Sequence, residues 1–113
     1  MRYALLLYSE SASDDQRGEE IPAAIREVLE RPEVTGWIRL HSTGSATTVR
    51  GDGGSTLLTD GPFVDSKDFL GGFILVEADN LDGAIALADE VQQLWQGGAI
   101  EVRPVNEDPL VRA

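Results

Sequence analysis

Asp60 and Lys67 bracket the segment Thr59-Asp60-Gly61-Pro62-Phe63-Val64-Asp65-Ser66-Lys67-Asp68, and both carry groups that could do chemistry. A carboxylate at the mouth of a cleft can act as a general base or anchor a ligand. Asp-Gly-Pro also builds a turn unaided: Asp accepts a backbone hydrogen bond two residues on, Gly61 admits an unusual φ, and Pro62 fixes the next residue. The turn is the preferred reading and the site the alternative. His41, the one histidine, offers a second candidate base. It has no acidic or basic partner at a telling spacing, so a structural role is preferred for it, and no metal site is expected. His41 and Asp60 are therefore the catalytic candidates, and Tyr8, Arg50, Lys67 and Arg103 the ligand-binding ones. Acidic neighbours keep the Lys67 ammonium charged, which suits an ion pair or an anion contact rather than Schiff-base chemistry. Arg50 and Arg103 can each fork onto a carboxylate. If both faced one cleft with Asp60 they would suit a small polar or acidic ligand; pairing with nearby carboxylates is the equal alternative. Tyr8, at the end of the first apolar run, points into such a cleft or caps the core.

Bulk properties narrow the function classes. The 113 residues suit one domain, 1–113, with 106–113 expected as a loose tail. There is no cysteine, which excludes disulfides, thiolate metal sites and a cysteine nucleophile. No cofactor is expected. The net charge of -11 opposes both nucleic-acid binding and an anionic membrane surface. No apolar run approaches the ~18 residues of a membrane span. The short run Tyr3–Tyr8 lacks a following small-residue cleavage site and meets Glu10, Asp14 and Asp15, so a cytoplasmic protein is expected.

The elements that must position these residues follow from periodicity. Tyr3-Ala4-Leu5-Leu6-Leu7-Tyr8 reads as a strand buried on both faces, as does Phe73-Ile74-Leu75-Val76. Ser9–Glu19 reads as an acidic loop. Ile21, Ala24, Ile25, Val28 and Leu29 recur at helical spacing behind Pro22, and Pro32 stops that helix. Val34, Trp37 and Ile38 resume a spacing of three to four, which predicts a short second helical piece. Residues 46–50 and 55–59 flank Gly51-Asp52-Gly53-Gly54, a hairpin turn rather than a phosphate loop. Asn80 caps a helix with the stripe Leu81, Ala84, Ile85, Ala88, Val91, Leu94 and Trp95, closed by Gly97 and Gly98. Ile100, Val102 and Pro104 alternate in a last strand. Phe63, Phe69 and Phe73 are expected to pin the irregular connection onto the core.

The order is β-α-β-β-α-β, a ferredoxin-like α+β plan with a mainly antiparallel sheet and the hairpin 46–59 standing partly clear. Two helices cover one sheet face, yet the apolar strands offer side chains to both. A second copy packed sheet against sheet resolves this, so a homodimer is expected, with any cleft between the open face and the partner.

Thr59-Asp60-Gly61-Pro62-Phe63 resembles the name-giving motif of DGPF-domain proteins within the YCII-related group. Ala46-Thr47-Thr48-Val49-Arg50, Lys67-Asp68, Leu70-Gly71-Gly72-Phe73 and Glu101-Val102-Arg103-Pro104-Val105 match in the same order, from Met1 to about Val105. The resemblance implies a dimeric α+β barrel. It also implies a His–Asp pair proposed to be enzymatic in YCII-like relatives, but this chain has Pro22-Ala23-Ala24 at the histidine stretch and lacks the late aspartate-proline motif, so the pair does not carry over. DGPF proteins are also linked with extracytoplasmic-function sigma factors. Two readings therefore stand: a binder or enzyme for a small polar ligand in a dimer cleft, and a non-enzymatic regulatory module whose acidic surface engages a protein partner.

Overall fold

The computed structural model describes residues 1–10, 21–64 and 66–107. The expected loop beyond Glu10, Asp65 of the motif and the tail from residue 108 lie outside that set. In chain order the elements are β1 (Arg2–Glu10), α1 (Ala23–Leu29), β2 (Val34–Arg39), a single 3-10 turn (Thr43–Ser45), β3 (Thr47–Asp52), β4 (Ser55–Asp60), β5 (Asp68–Glu77), α2 (Leu81–Trp95) and β6 (Ala99–Pro104). Four strands form one antiparallel sheet in the order β2-β5-β1-β6, and β3-β4 form a separate two-stranded hairpin. The chain is thus α+β, with β1-α1-β2-β5-α2-β6 giving the expected element order and the hairpin inserted between β2 and β5. No helix among the described residues is long and apolar enough to cross a membrane.

Register assigns every strand residue to a face. Tyr3 lies opposite Val76, and Leu5 opposite both Ile74 and Val102. These side chains meet Val28 and Leu29 of α1 and Ala84, Leu87, Ala88 and Val91 of α2 in the core. The alternate set, Ala4 opposite Leu75, Leu6 opposite Phe73 and Tyr8 opposite Leu70, points to the other face, where Ile38 joins it beside Phe73. Neither of the described helices covers that side. Leu5 is wholly buried, whereas Leu6, Phe73 and Leu75 remain half-buried.

α2 forms where its stripe predicts, and the Asn80 Oδ1 accepts from the Gly83 N–H at 3.0 Å, satisfying a first-turn donor. Its C-terminal end differs from expectation. The left-handed cap is Gln96, at φ 56° and ψ 33°, and not a glycine. The glycines that follow answer to space instead. A Cβ on Gly97 would fall inside the Trp95 indole, and one on Gly98 would lie 2.7 Å from the Tyr8 carbonyl oxygen.

The predicted second helical piece is β2. The bulge between Val34 and Gly36 explains the error: Val34 faces Val76, Gly36 faces Leu75 and Trp37 faces Ile74. One extra residue in the strand puts Val34 and Trp37, three apart, on the same side of the sheet. A bulged strand thereby imitates a helical spacing.

Candidate functional site

The sequence-derived site residues occupy two regions. Arg50 and Asp60 belong to the hairpin, whose turn has Gly53 and Gly54 at positive φ (54° and 103°) and Asp52 opposite Ser55. Arg50 pairs with Leu57 and Asp60 with Thr47. Because strand neighbours alternate, residues 57 and 60 point to opposite faces, so Arg50 and Asp60 do not converge. Gly61 adopts φ 96°, its N–H donates to the Ala46 carbonyl at 2.8 Å, and the Thr48 Oγ1 donates to the Gly61 carbonyl at 2.8 Å. The Asp-Gly-Pro stretch is therefore a clamped corner at the root of the hairpin, with Asp60 exposed beside it. Phe63 does not pin this corner to the core: it is 69% exposed and lies under the Arg50 guanidinium, 5.4 Å from ring centroid to Cζ.

Tyr8, Arg103, Lys67 and His41 sit on or beside the main sheet. Tyr8 opposes Ala99, and Arg103 opposes Ala4, so both face the open side about 13 Å apart along the strands. Lys67 meets Glu10 at 3.8 Å, with both groups largely in solvent, an arrangement of small energetic value. His41 follows Leu40, whose N–H donates to the Gly71 carbonyl at 2.9 Å and continues the β2-β5 ladder. His41 is exposed and holds a contact of its own. Among the described residues no cluster of His, Asp and Glu could hold a metal ion.

A cleft lies elsewhere, between the helices and the sheet. It encloses about 270 Å³. Its walls are Ile21, Ile25 and Leu29 from α1 and its approach, Val91 and Trp95 from α2, and Trp37 and Arg39 from β2. Leu7, Gly71, Gly72 and Ile74 form its floor. Gly72 faces both Leu7 and Arg39 across the ladders, and a Cβ there would strike the Ile38 carbonyl oxygen. Glycine is thus required for strand approach, and it leaves floor space that a larger residue would fill. None of Tyr8, His41, Arg50, Asp60, Lys67 and Arg103 lines this cleft.

The sequence profile of the YCII-related domain matches residues 1–108. The chain belongs to the YCII-related family. An uncharacterized protein of Rhizobium meliloti (strain 1021) is similar to it, 32% identical over 114 residues that cover 93% of this chain and 92% of the relative. In this YCII-related chain the residues around the cleft escaped sequence reasoning because they come from separate elements. A usable signal was present: the chain has two tryptophans, Trp37 and Trp95, and both line this cleft. The Gly71-Gly72 pair was a second signal, since two glycines inside a buried strand mark close backbone approach.

The ion pairs of this YCII-related fold brace the helix layer and chain ends. Arg31 donates through both terminal nitrogens to Glu90, at 2.8 and 2.5 Å, tying the end of α1 to α2. Those hydrogen bonds hold the Glu90 carboxyl below the usual range and the Arg31 guanidinium above its own. Glu107 accepts from the Arg2 backbone N–H at 2.9 Å and from its guanidinium at 3.4 Å, and is likewise held low. The start of the acidic tail is therefore fastened to β1.

Proposed function

We propose that the protein is a homodimeric binder of a small, largely apolar or aromatic molecule, held in the cleft between helices and sheet. The observation that carries this reading is the lining: two indoles and aliphatic side chains that include Leu7, Ile21, Ile25, Leu29, Ile74 and Val91 around about 270 Å³. Small-molecule sites are mainly apolar with a few placed polar groups, and the polar side chains here are Ser9 and Arg39. The Arg39 guanidinium at the cleft wall matches an anionic substituent on such a ligand. A guanidinium and a hydroxyl hold and orient a ligand; neither suits proton transfer at neutral pH, which favours binding over turnover. This reading moves the ligand from the dimer cleft expected above to the helix side.

The dimer completes the fold as an α+β barrel. Ala4, Leu6, Ile38, Leu70, Phe73 and Leu75 share the uncovered sheet face, and a second copy supplies an equally apolar partner surface related by a two-fold axis. Calorimetric titration with 2-naphthoate, 2-naphthol and indole tests the site. The expected result is saturable binding of one molecule per chain, weakened about tenfold or more by Trp37→Ala. Absence of binding by all three at millimolar concentration would contradict it.

A further inference from the structure

Three departures from ordinary backbone and side-chain practice fall within six residues beside the cleft. Gln96 is the one non-glycine residue at positive φ among the described residues. The Gln92 Oε1 is the one buried side-chain oxygen or nitrogen among them with no hydrogen-bond partner. Gly97 lies so close beneath the Trp95 indole that a Cβ would overlap Cζ2, Cε2 and Cη2. Strained or unsatisfied groups persist where the surrounding structure over-determines them, and they gather at functional positions.

The three are one device. The Gln92 carbonyl accepts the Gln96 N–H at 2.8 Å, and the Gln92 Nε2 donates to the Gly97 carbonyl at 2.9 Å. The first is the last bond of the helix and the second ties the chain beyond it, so residue 92 holds the turn on both sides of the left-handed Gln96. Satisfying the Gly97 carbonyl leaves the other end of the same amide, Oε1, without a donor. What the turn achieves is the position of Trp95: with Gly97 bare, the indole can lie over the chain as it leaves the helix, and from there it forms one wall of the cleft. Gly97 itself has no positive φ, so its requirement is steric.

We infer that the turn 92–97 is a preformed latch that fixes the Trp95 indole as the shape-determining wall of the ligand cleft. Gln92 and Gly97 are its positioning residues. The inference rests on the ligand site proposed above and adds the part of the chain that sets which ring shapes fit. A turn that merely ended α2 would need neither the bare Gly97 nor the orphaned amide, since glycine at position 96 would cap the helix without strain.

The test uses the full chain with Trp37→Phe, so that Trp95 is the sole tryptophan, excited selectively over Tyr3 and Tyr8. Gly97→Ala and Gln92→Ala are added separately, and each variant is read three ways: circular dichroism, acrylamide quenching of Trp95, and 2-naphthoate titration. The expected result is a preserved fold, quenching of Trp95 raised about twofold, and 2-naphthoate binding weakened about tenfold, because the wall is no longer preorganised. Trp95 quenching unchanged in both variants overturns the latch, whatever happens to binding. If Gly97→Ala does not fold, Gln92→Ala decides alone by the same readout. Displaced Trp95 together with no 2-naphthoate binding by the wild-type chain supports the latch and overturns the ligand site instead.

Discussion

Leu5 and Leu6 are neighbours in sequence and of the same type, yet they live on two different surfaces. Leu5 faces α1 and α2 and is wholly buried; Leu6 faces the uncovered side of the same sheet and is half-buried. The covered face is finished within one chain: Tyr3, Leu5, Ile74 and Val76 are sealed by Val28, Leu29, Ala84, Leu87, Ala88 and Val91. The open face carries Leu6, Phe73 and Leu75 beside Glu101 and Arg103, and neither described helix covers it. Hydropathy alone cannot tell the two apart. What separates them is strand alternation together with the placement of the two described helices, both on one side.

That comparison can be broken at several points. Leu5→Ala should cost about 2–5 kcal/mol, because the cavity forms where the surroundings cannot collapse. Urea denaturation of the variant should show a matching fall in midpoint. Leu6→Ala should leave the isolated chain within about 1 kcal/mol of wild type. Its effect should appear as a raised dimer dissociation constant. Equal losses from the two substitutions, independent of protein concentration, would erase the distinction between the faces.

Smaller effects probe the helix layer that closes the covered face. Asn80→Ala removes the acceptor for the Gly83 N–H and should cost about 1 kcal/mol by thermal unfolding. Replacing Gln96 by glycine relieves the left-handed conformation and should raise the melting temperature slightly, since a non-glycine residue there costs about 1–2 kcal/mol before glycine's own entropy is set against it. Glu90→Gln should have the least effect, the Arg31–Glu90 pair being more than a third exposed. The sign of its pH dependence is fixed. Because the folded Glu90 is more acidic than the unfolded one, its contribution is fully present above the unfolded value of about 4.3 and is lost as pH falls through the lower folded value. Wild type and Glu90→Gln should therefore converge in stability only in acid.

Much of the frame is legible in the sequence. The stripe behind Asn80 located α2 to its ends, and the glycine-rich turn located the β3-β4 hairpin, because each is a local pattern with a local cause. β2 was misread since its bulge replaces an alternating pattern with a three-residue one. The left-handed cap was misassigned to the glycines because glycine there answers to the Trp95 ring and the Tyr8 carbonyl, neither visible as a cap signal. The site was the least legible part. Sequence left open whether Arg50 and Asp60 share a cleft, and they occupy opposite faces of one hairpin, while Trp37, Arg39 and Trp95 meet only through tertiary packing of β2 against the end of α2.

The central claim is that the open face is an interface between copies, and solution mass tests it most directly. Sedimentation equilibrium at micromolar concentration should give twice the 12.2 kDa chain mass, and Phe73→Glu, which places a charge opposite Leu6, should return it to the single-chain value with secondary structure intact. A wild-type protein that stays at 12.2 kDa across that range, stable and soluble, would contradict the account.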